Sequence, residues 1–203
     1  MKSFEPVVLA GDHVRLEPLA PSHVPGLVAA AAEDRSTYDW TPVPDGEAEI
    51  LGWVEHAERE RESGRMLAFA TMTIDGTVVG STSFLDPQRW QRSDRAPSFD
   101  SIEIGSTWLA ASAQRTSINT EAKLLMLTHA FDAWSVERVT FKTDARNQRS
   151  RDAITRIGAR FEGIRRAHCL ATDGTIRDSA YFSIVASEWP GVRAGLVSKL
   201  SAS

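Results

Sequence analysis

A single cysteine, Cys169, stands in the whole sequence, which excludes an intrachain disulfide and any cysteine-based metal cluster. A lone thiol also suits a reducing compartment. The five histidines, His13, His23, His56, His129 and His168, lack the paired spacing of zinc ligands, so no metal is expected. Long apolar runs are missing too, and nothing approaches the ~20 residues of a membrane span. Near the start, Lys2 is followed by Glu5 and Asp12 with no apolar segment before them, unlike a secretory signal. Basic residues number 23 against 27 acidic ones, a net charge of −4, and they are scattered along the chain. No basic stripe invites nucleic acid or an anionic membrane surface. The expectation is a cytoplasmic protein with neither partner.

What is present is enough apolar residue, 42% of 203, to bury one core without covalent staples. The chain reads as one domain over residues 1–203, with no repeat, low-complexity tract or linker. Val14 and Leu16 alternate with Arg15 and Glu17 as a half-buried strand, and Val24, Leu27, Val28 and Ala31 then fall at helical spacing. Ile50, Trp53, Val54 and Ala57 mark a second helix that ends near Gly64. Two apolar runs, Leu67 to Ile74 and Thr77 to Leu85, flank Asp75-Gly76, a two-residue hairpin signal. A polar loop from Pro87 to Ser98, with Arg89, Arg92, Asp94 and Arg95, leads to a strand from Phe99 to Leu109. The helix opened by Gln114 to Asn119 runs to Trp134 and is apolar nearly all round, which predicts burial. A strand at Arg138 to Thr143 follows, then a short helix capped by Asn147 and stopped by Gly158. A last hairpin, Phe161 to Leu170 and Ser179 to Val185, turns at Ala171 to Gly174, and a tail holds Trp189-Pro190. The order β-α-α-β-β-β-α-β-α-β-β gives an α/β fold, a mixed, mostly antiparallel sheet of about seven strands with helices on both faces.

Chemistry concentrates where the strand Ile102-Glu103-Ile104-Gly105-Ser106-Thr107-Trp108-Leu109 turns into the buried helix. Small polar residues at a helix start leave backbone N–H groups pointing outward, and the helix dipole adds positive charge, so a phosphate could sit there. The same residues also read as an ordinary capped helix, with Thr116 or Ser117 as the cap and Glu121 completing it. Glu103 lies between two isoleucines, so its carboxylate points away from the face they bury. A carboxylate beside an apolar cleft can have a raised pKa suited to taking a proton from an ammonium group, though an exposed strand glutamate fits the spacing equally. Tyr38, Trp40, Trp53, Phe84 and Trp90 would serve either as pocket walls or as core. Cys169 and His168 are strand neighbours facing opposite ways, a poor nucleophile and base pair, and Cys169 reads as structural.

The succession Glu103-Ile104-Gly105-x-x-Trp108-Leu109, then Asn147-x-x-Ser150 and Ile157-Gly158-Ala159-Arg160-Phe161-Glu162-Gly163, resembles Gcn5-related N-acetyltransferases (GNAT) close to the ribosomal-protein-acetylating, Rim-type branch. The resemblance covers essentially the whole chain. It implies an acyl-CoA-dependent N-acetyltransferase, with acetyl-CoA or another short acyl-CoA as co-substrate and a primary amine as acceptor. It further implies that the coenzyme lies along Trp108 and Leu109, with its pyrophosphate on the backbone amides of Arg115, Thr116, Ser117, Ile118, Asn119 and Thr120. Asn147 would hydrogen-bond the pantetheine arm, Glu103 would act as general base, and Ser150 would assist the leaving thiolate. Ser117 and Asn119 stand where the family pattern prefers Gly and Gly or Ala, and Ile154 occupies the place of the acid tyrosine that many members carry. The acceptor is left open between a protein N-terminus and a small molecule, a homodimer is left open as well, and the same fold would also serve as an acyl-CoA sensor without turnover.

Overall fold

The structure, a computed structural model, describes residues 5–90 and 99–202. Among them the strands are β1 Leu9–Ala10, β2 Val14–Pro18, β3 Met66–Thr73, β4 Val78–Gln88, β5 Ser101–Leu109, β6 Arg138–Asp144, β7 Arg160–Leu170 and β8 Ile176–Val185. The helices are α1 Val24–Ala32, α2 Gly46–Glu62, α3 Ser117–Thr128, α4 Gln148–Arg156 and α5 Trp189–Ser201. One sheet takes all eight strands in the order β1-β2-β3-β4-β5-β6-β8-β7. Its pairs are antiparallel except β5 with β6, which run parallel.

The eighth strand, absent from the sequence reading, is β1, whose two residues are too few to show a period. The expected tail is instead α5. Pro190 falls at its first turn, where a missing N–H costs nothing. Trp189 anchors this helix by stacking on Phe131 at 5.3 Å and donating from Nε1 to Asp132 Oδ1 at 2.9 Å. The strand β4 also runs past Pro87, with Gln88 still paired to Ser101, because the register slips between Leu85 and Gln88 and Asp86 takes a positive φ of 46°. A bulge of this kind tolerates proline. Residues 91–98 of the expected loop, with Arg92, Asp94 and Arg95, lie outside the described residues. The β3–β4 turn differs as well: Gly76 alone is left-handed, at φ 91°, and the Thr73 N–H donates to Thr77 O across a three-residue loop.

Alternation along the strands assigns the two faces. Leu85 packs with Ala57 of α2, while its neighbour Phe84 stands 4.7 Å from the Trp134 ring at the end of the α3 segment. Helices α1 and α2 therefore cover one face, and α3, α4 and α5 the other. Beyond Thr128 the α3 segment widens into a π-helical turn, His129–Ala133. Glu121 does not cap its own helix. Its carboxylate accepts from the backbone N–H groups of Asp12, His13 and Val14 at 2.9, 2.7 and 2.7 Å, tying α3 to the start of β2. Gly11 must be bare there, since a Cβ would fall 2.4 Å from the Glu121 carboxyl carbon.

Candidate active site

Two irregularities in β5 make the site. Pairing with β6 stops after Ser101↔Arg138, Ile102↔Val139 and Glu103↔Thr140, although both strands continue. The β6-facing edge of Ile104 to Leu109 is left without a strand partner, and a cleft of about 720 Å³ occupies the gap. On its other edge β5 carries a bulge: Ser83 pairs with Gly105 and Ser81 with Trp108, so Ser106 and Thr107 oppose Thr82 alone. Ser106 has φ 47°. Gly80 permits this close approach, because a Cβ on it would lie 2.1 Å from the Trp108 carbonyl oxygen.

Glu103 is 6% exposed, in the cleft wall where the strands begin to part. As the alternation predicts, Ile102 and Ile104 are buried, and the carboxylate turns to the α2 face, over Gly105 and beside Leu85. Burial raises the Glu103 pKa above the ordinary carboxylate value, against the pull of Lys142, whose Nζ is 2.9 Å away. Burial lowers Lys142 in turn, but the facing Glu103 carboxylate outweighs that and leaves the ammonium raised.

Across the gap, Asn147 caps α4 by accepting the Ser150 N–H at 3.0 Å. Both residues line the cleft, and the Ser150 hydroxyl has no partner among the described residues. Thr116 caps α3, accepting from the Ile118 N–H at 3.3 Å after the left-handed Arg115, φ 61°. Trp108, Leu109, Arg115, Thr116 and Asn119 also line the cleft. Ser117, Ile118 and Thr120 do not reach it with their side chains: Ile118 joins the core, and the Thr120 hydroxyl accepts from Arg156 at 3.2 Å. Of the aromatic candidates, Tyr38 and Trp40 are walls, Phe84 is core, Trp53 packs from α2 against Ala57, Met66 and Ala68, and Trp90 is exposed beyond β4. Cys169 is exposed on β7 rather than structural, while His168 is engaged with Ser179 at 2.9 Å.

A GNAT acetyltransferase domain model matches residues 13–160. The chain belongs to the GNAT acetyltransferase family. Similar proteins include the YdaF protein of Bacillus subtilis (strain 168), which bears a ribosomal N-acetyltransferase name and is 30% identical over 122 residues, 60% of this chain and 61% of that one. The chain thus spans about three fifths of that relative's length, the 61% matched. A GCN5-related N-acetyltransferase of Brucella melitensis, 32% identical, superposes with a TM-score of 0.82 over 98% of this chain and 87% of its own. RimJ of Mycobacterium smegmatis, solved with CoA-disulfide, shares the fold at 24% identity, with a TM-score of 0.80 over 98% and 97% of the two chains. The ribosomal name of the Bacillus relative agrees with the Rim-type resemblance.

Sequence reasoning missed the positive charge that this GNAT cleft gathers. Arg115, Lys123, Lys142, Arg149, Arg156 and Arg177 line it, from the turn before α3, α3 itself, β6, α4 and β8. They are scattered in sequence and convergent in space, which no linear charge count detects. Lys123 had one visible signal: a lone lysine within a helix expected to be buried all round.

Proposed function

We propose that this GNAT domain moves an acetyl or other short acyl group from acyl-CoA to a primary amine, by direct attack within a ternary complex. The observation that carries it is the cleft through the sheet between β5 and β6, with a buried carboxylate on one face and two capped helix starts on the other. The edge of Ile104 to Leu109 that lacks a strand partner, Trp108 included, offers backbone donors and acceptors to the pantetheine amides, except for the Leu109 carbonyl, which already accepts from Tyr38 and Gln114, and Asn147 stands opposite. The start of α3, from Arg115 to Thr120, supplies N–H groups and dipole for the pyrophosphate, and Arg149 and Arg156 add charge beside it.

Glu103 takes a proton from the ammonium of the acceptor. The freed amine attacks the thioester carbonyl carbon, the C–S bond breaks, and Ser150 hydrogen-bonds the departing thiolate while it gains a proton. A protein amine fits the ribosomal names of the relatives better than a small molecule, and a cytoplasmic setting goes with such an acceptor. The Lys142 ion pair on Glu103 favours a second reading, a sensor that binds acyl-CoA without turnover.

One variant separates them. Glu103→Gln keeps shape and hydrogen bonding but accepts no proton, so turnover should fall by roughly 10² to 10⁴ fold with acetyl-CoA affinity retained. The wild-type rate should decline as pH drops through the raised Glu103 pKa, and the variant should lack that limb. Full turnover with an unchanged pH profile would remove Glu103 from the chemistry. Ser150→Ala should cost less, since water replaces a hydroxyl donor.

A further inference from the structure

Lys123 has no part in the transfer just described, yet it stands in the cleft wall and is only 5% exposed. Its Nζ donates to Thr82 Oγ1 at 2.9 Å and Thr107 Oγ1 at 2.8 Å, two hydroxyls that are themselves 2.8 Å apart. An ammonium carries three protons, so one remains after both bonds. No carboxylate among the described residues pairs with it. Of the acids in the cleft wall, Glu103 is held by Lys142 on the opposite face, and Asp152 accepts from Gln148 at 2.6 Å. Two neutral hydroxyls do not offset a buried charge, whereas an apolar residue such as Met126, which touches the same Thr82, would pack there without that cost. The cation therefore weakens the fold unless the cleft brings it an anion.

The position narrows which anion. Lys123 lies six residues into α3, roughly 9 Å along the axis from the helix start where the pyrophosphate is placed. It also bonds the bulged Thr107, just beyond the point where β5 and β6 part. That is deeper than the phosphates and on the donor side of the sheet, where the acyl end of a coenzyme thioester would lie.

We propose that Lys123 selects the acyl group, the cleft taking an acyl-CoA whose chain ends in a carboxylate, of the malonyl or succinyl class. The assignment rests on the acyl-transfer reading and deepens it. Burial alone lowers the lysine to a pKa of about 7, and no charged group faces it from β4, β5 or α3, which present Thr82, Thr107 and Met126. At pH 8 it is mostly neutral, so pairing with a carboxylate recharges it and takes up a proton.

Binding, which requires no acceptor, provides the test. Titration calorimetry compares succinyl-CoA with butyryl-CoA, equal in carbon count but uncharged at the end, and malonyl-CoA with propionyl-CoA. Wild type should bind the carboxylate member of each pair on the order of tenfold tighter or more. At pH 8, buffers of different ionisation enthalpy should report roughly one proton taken up by that member alone. Lys123→Met should reverse the preference, and Lys123→Gln serves if the first variant does not fold. Equal wild-type affinities for the two members of each pair would overturn the proposal. So would an equal loss for all esters in the variant, which marks a lysine that merely pins Thr107. If no CoA ester binds at all, the acyl-transfer reading falls and this inference with it. Tight binding of the uncharged esters without a carboxylate advantage sinks the inference alone.

Discussion

Two charges are buried on opposite faces of β5, and the fold treats them differently. Glu103 has a cation at 2.9 Å, while Lys123 has only hydroxyls. An unpaired buried lysine leaves a signature in stability. In the unfolded chain it holds its proton up to its ordinary pKa of 10.5, and in the folded protein only below about 7. Between those values the unfolded state binds more protons, so stability rises with pH; below about 7 the penalty is present in full. Lys123→Met lacks the effect. Its melting temperature relative to wild type should therefore be highest near pH 7 and fall steadily towards pH 10, with a ceiling of ~1.4 kcal/mol per pH unit. A difference that stays flat over this range would mean the lysine keeps its charge inside the fold. The direction of Glu103 was legible in the sequence, because the buried isoleucines on either side force it to the other face. Its partner was not, since Lys142 reaches it only through the parallel register of β5 against β6, a tertiary fact.

At the scale of elements, long periodic segments and strong punctuation were readable. The buried α3, the Asn147 cap and the left-handed Gly158, φ 99°, stand as the residues implied. Elements defined by a partner rather than a period were not: β1 exists only through β2, and α5 through the stacking of Trp189 on Phe131. The bulge in β5 belongs to the same class, since nothing local in Ser106-Thr107 demands it. What permits it lies on the next strand. Gly80 sits at φ 155° with the Trp108 carbonyl where its Cβ would be, so Gly80→Ala must push β5 away or break its pairing. The expected outcome is a loss of stability on the order of 1–3 kcal/mol, with weaker acetyl-CoA binding because Thr107 and Trp108 move. A variant that melts and binds like wild type would show that the bulge does not depend on this glycine.

Over the whole molecule, a chain of net charge −4 turns four guanidinium groups, those of Arg115, Arg149, Arg156 and Arg177, into one cleft. None of the four forms an ion pair among the described residues; Arg149 and Arg156 bond instead to Gln114 at 3.2 Å and Thr120 at 3.2 Å. Such a concentration repels itself and suits a polyanion; under the acyl-transfer proposal, the three phosphoryl groups of coenzyme A would answer it at the helix start. Acetyl-CoA should then stabilise the native state by mass action, about 2.7 kcal/mol at a hundredfold excess over its dissociation constant. For a chain of 203 residues that corresponds to a rise in melting temperature of roughly 5–10 °C. Acetyl-pantetheine, which carries the thioester and pantetheine arm without the phosphates, should give much less at equal concentration. Added salt should shrink the acetyl-CoA shift while leaving the pantetheine one nearly unchanged, because screening acts on exposed guanidinium–phosphate pairs. Equal shifts from the two ligands, insensitive to salt, would place the binding energy in the strand edge and remove the arginines from recognition. No shift from either would leave the cleft without its donor.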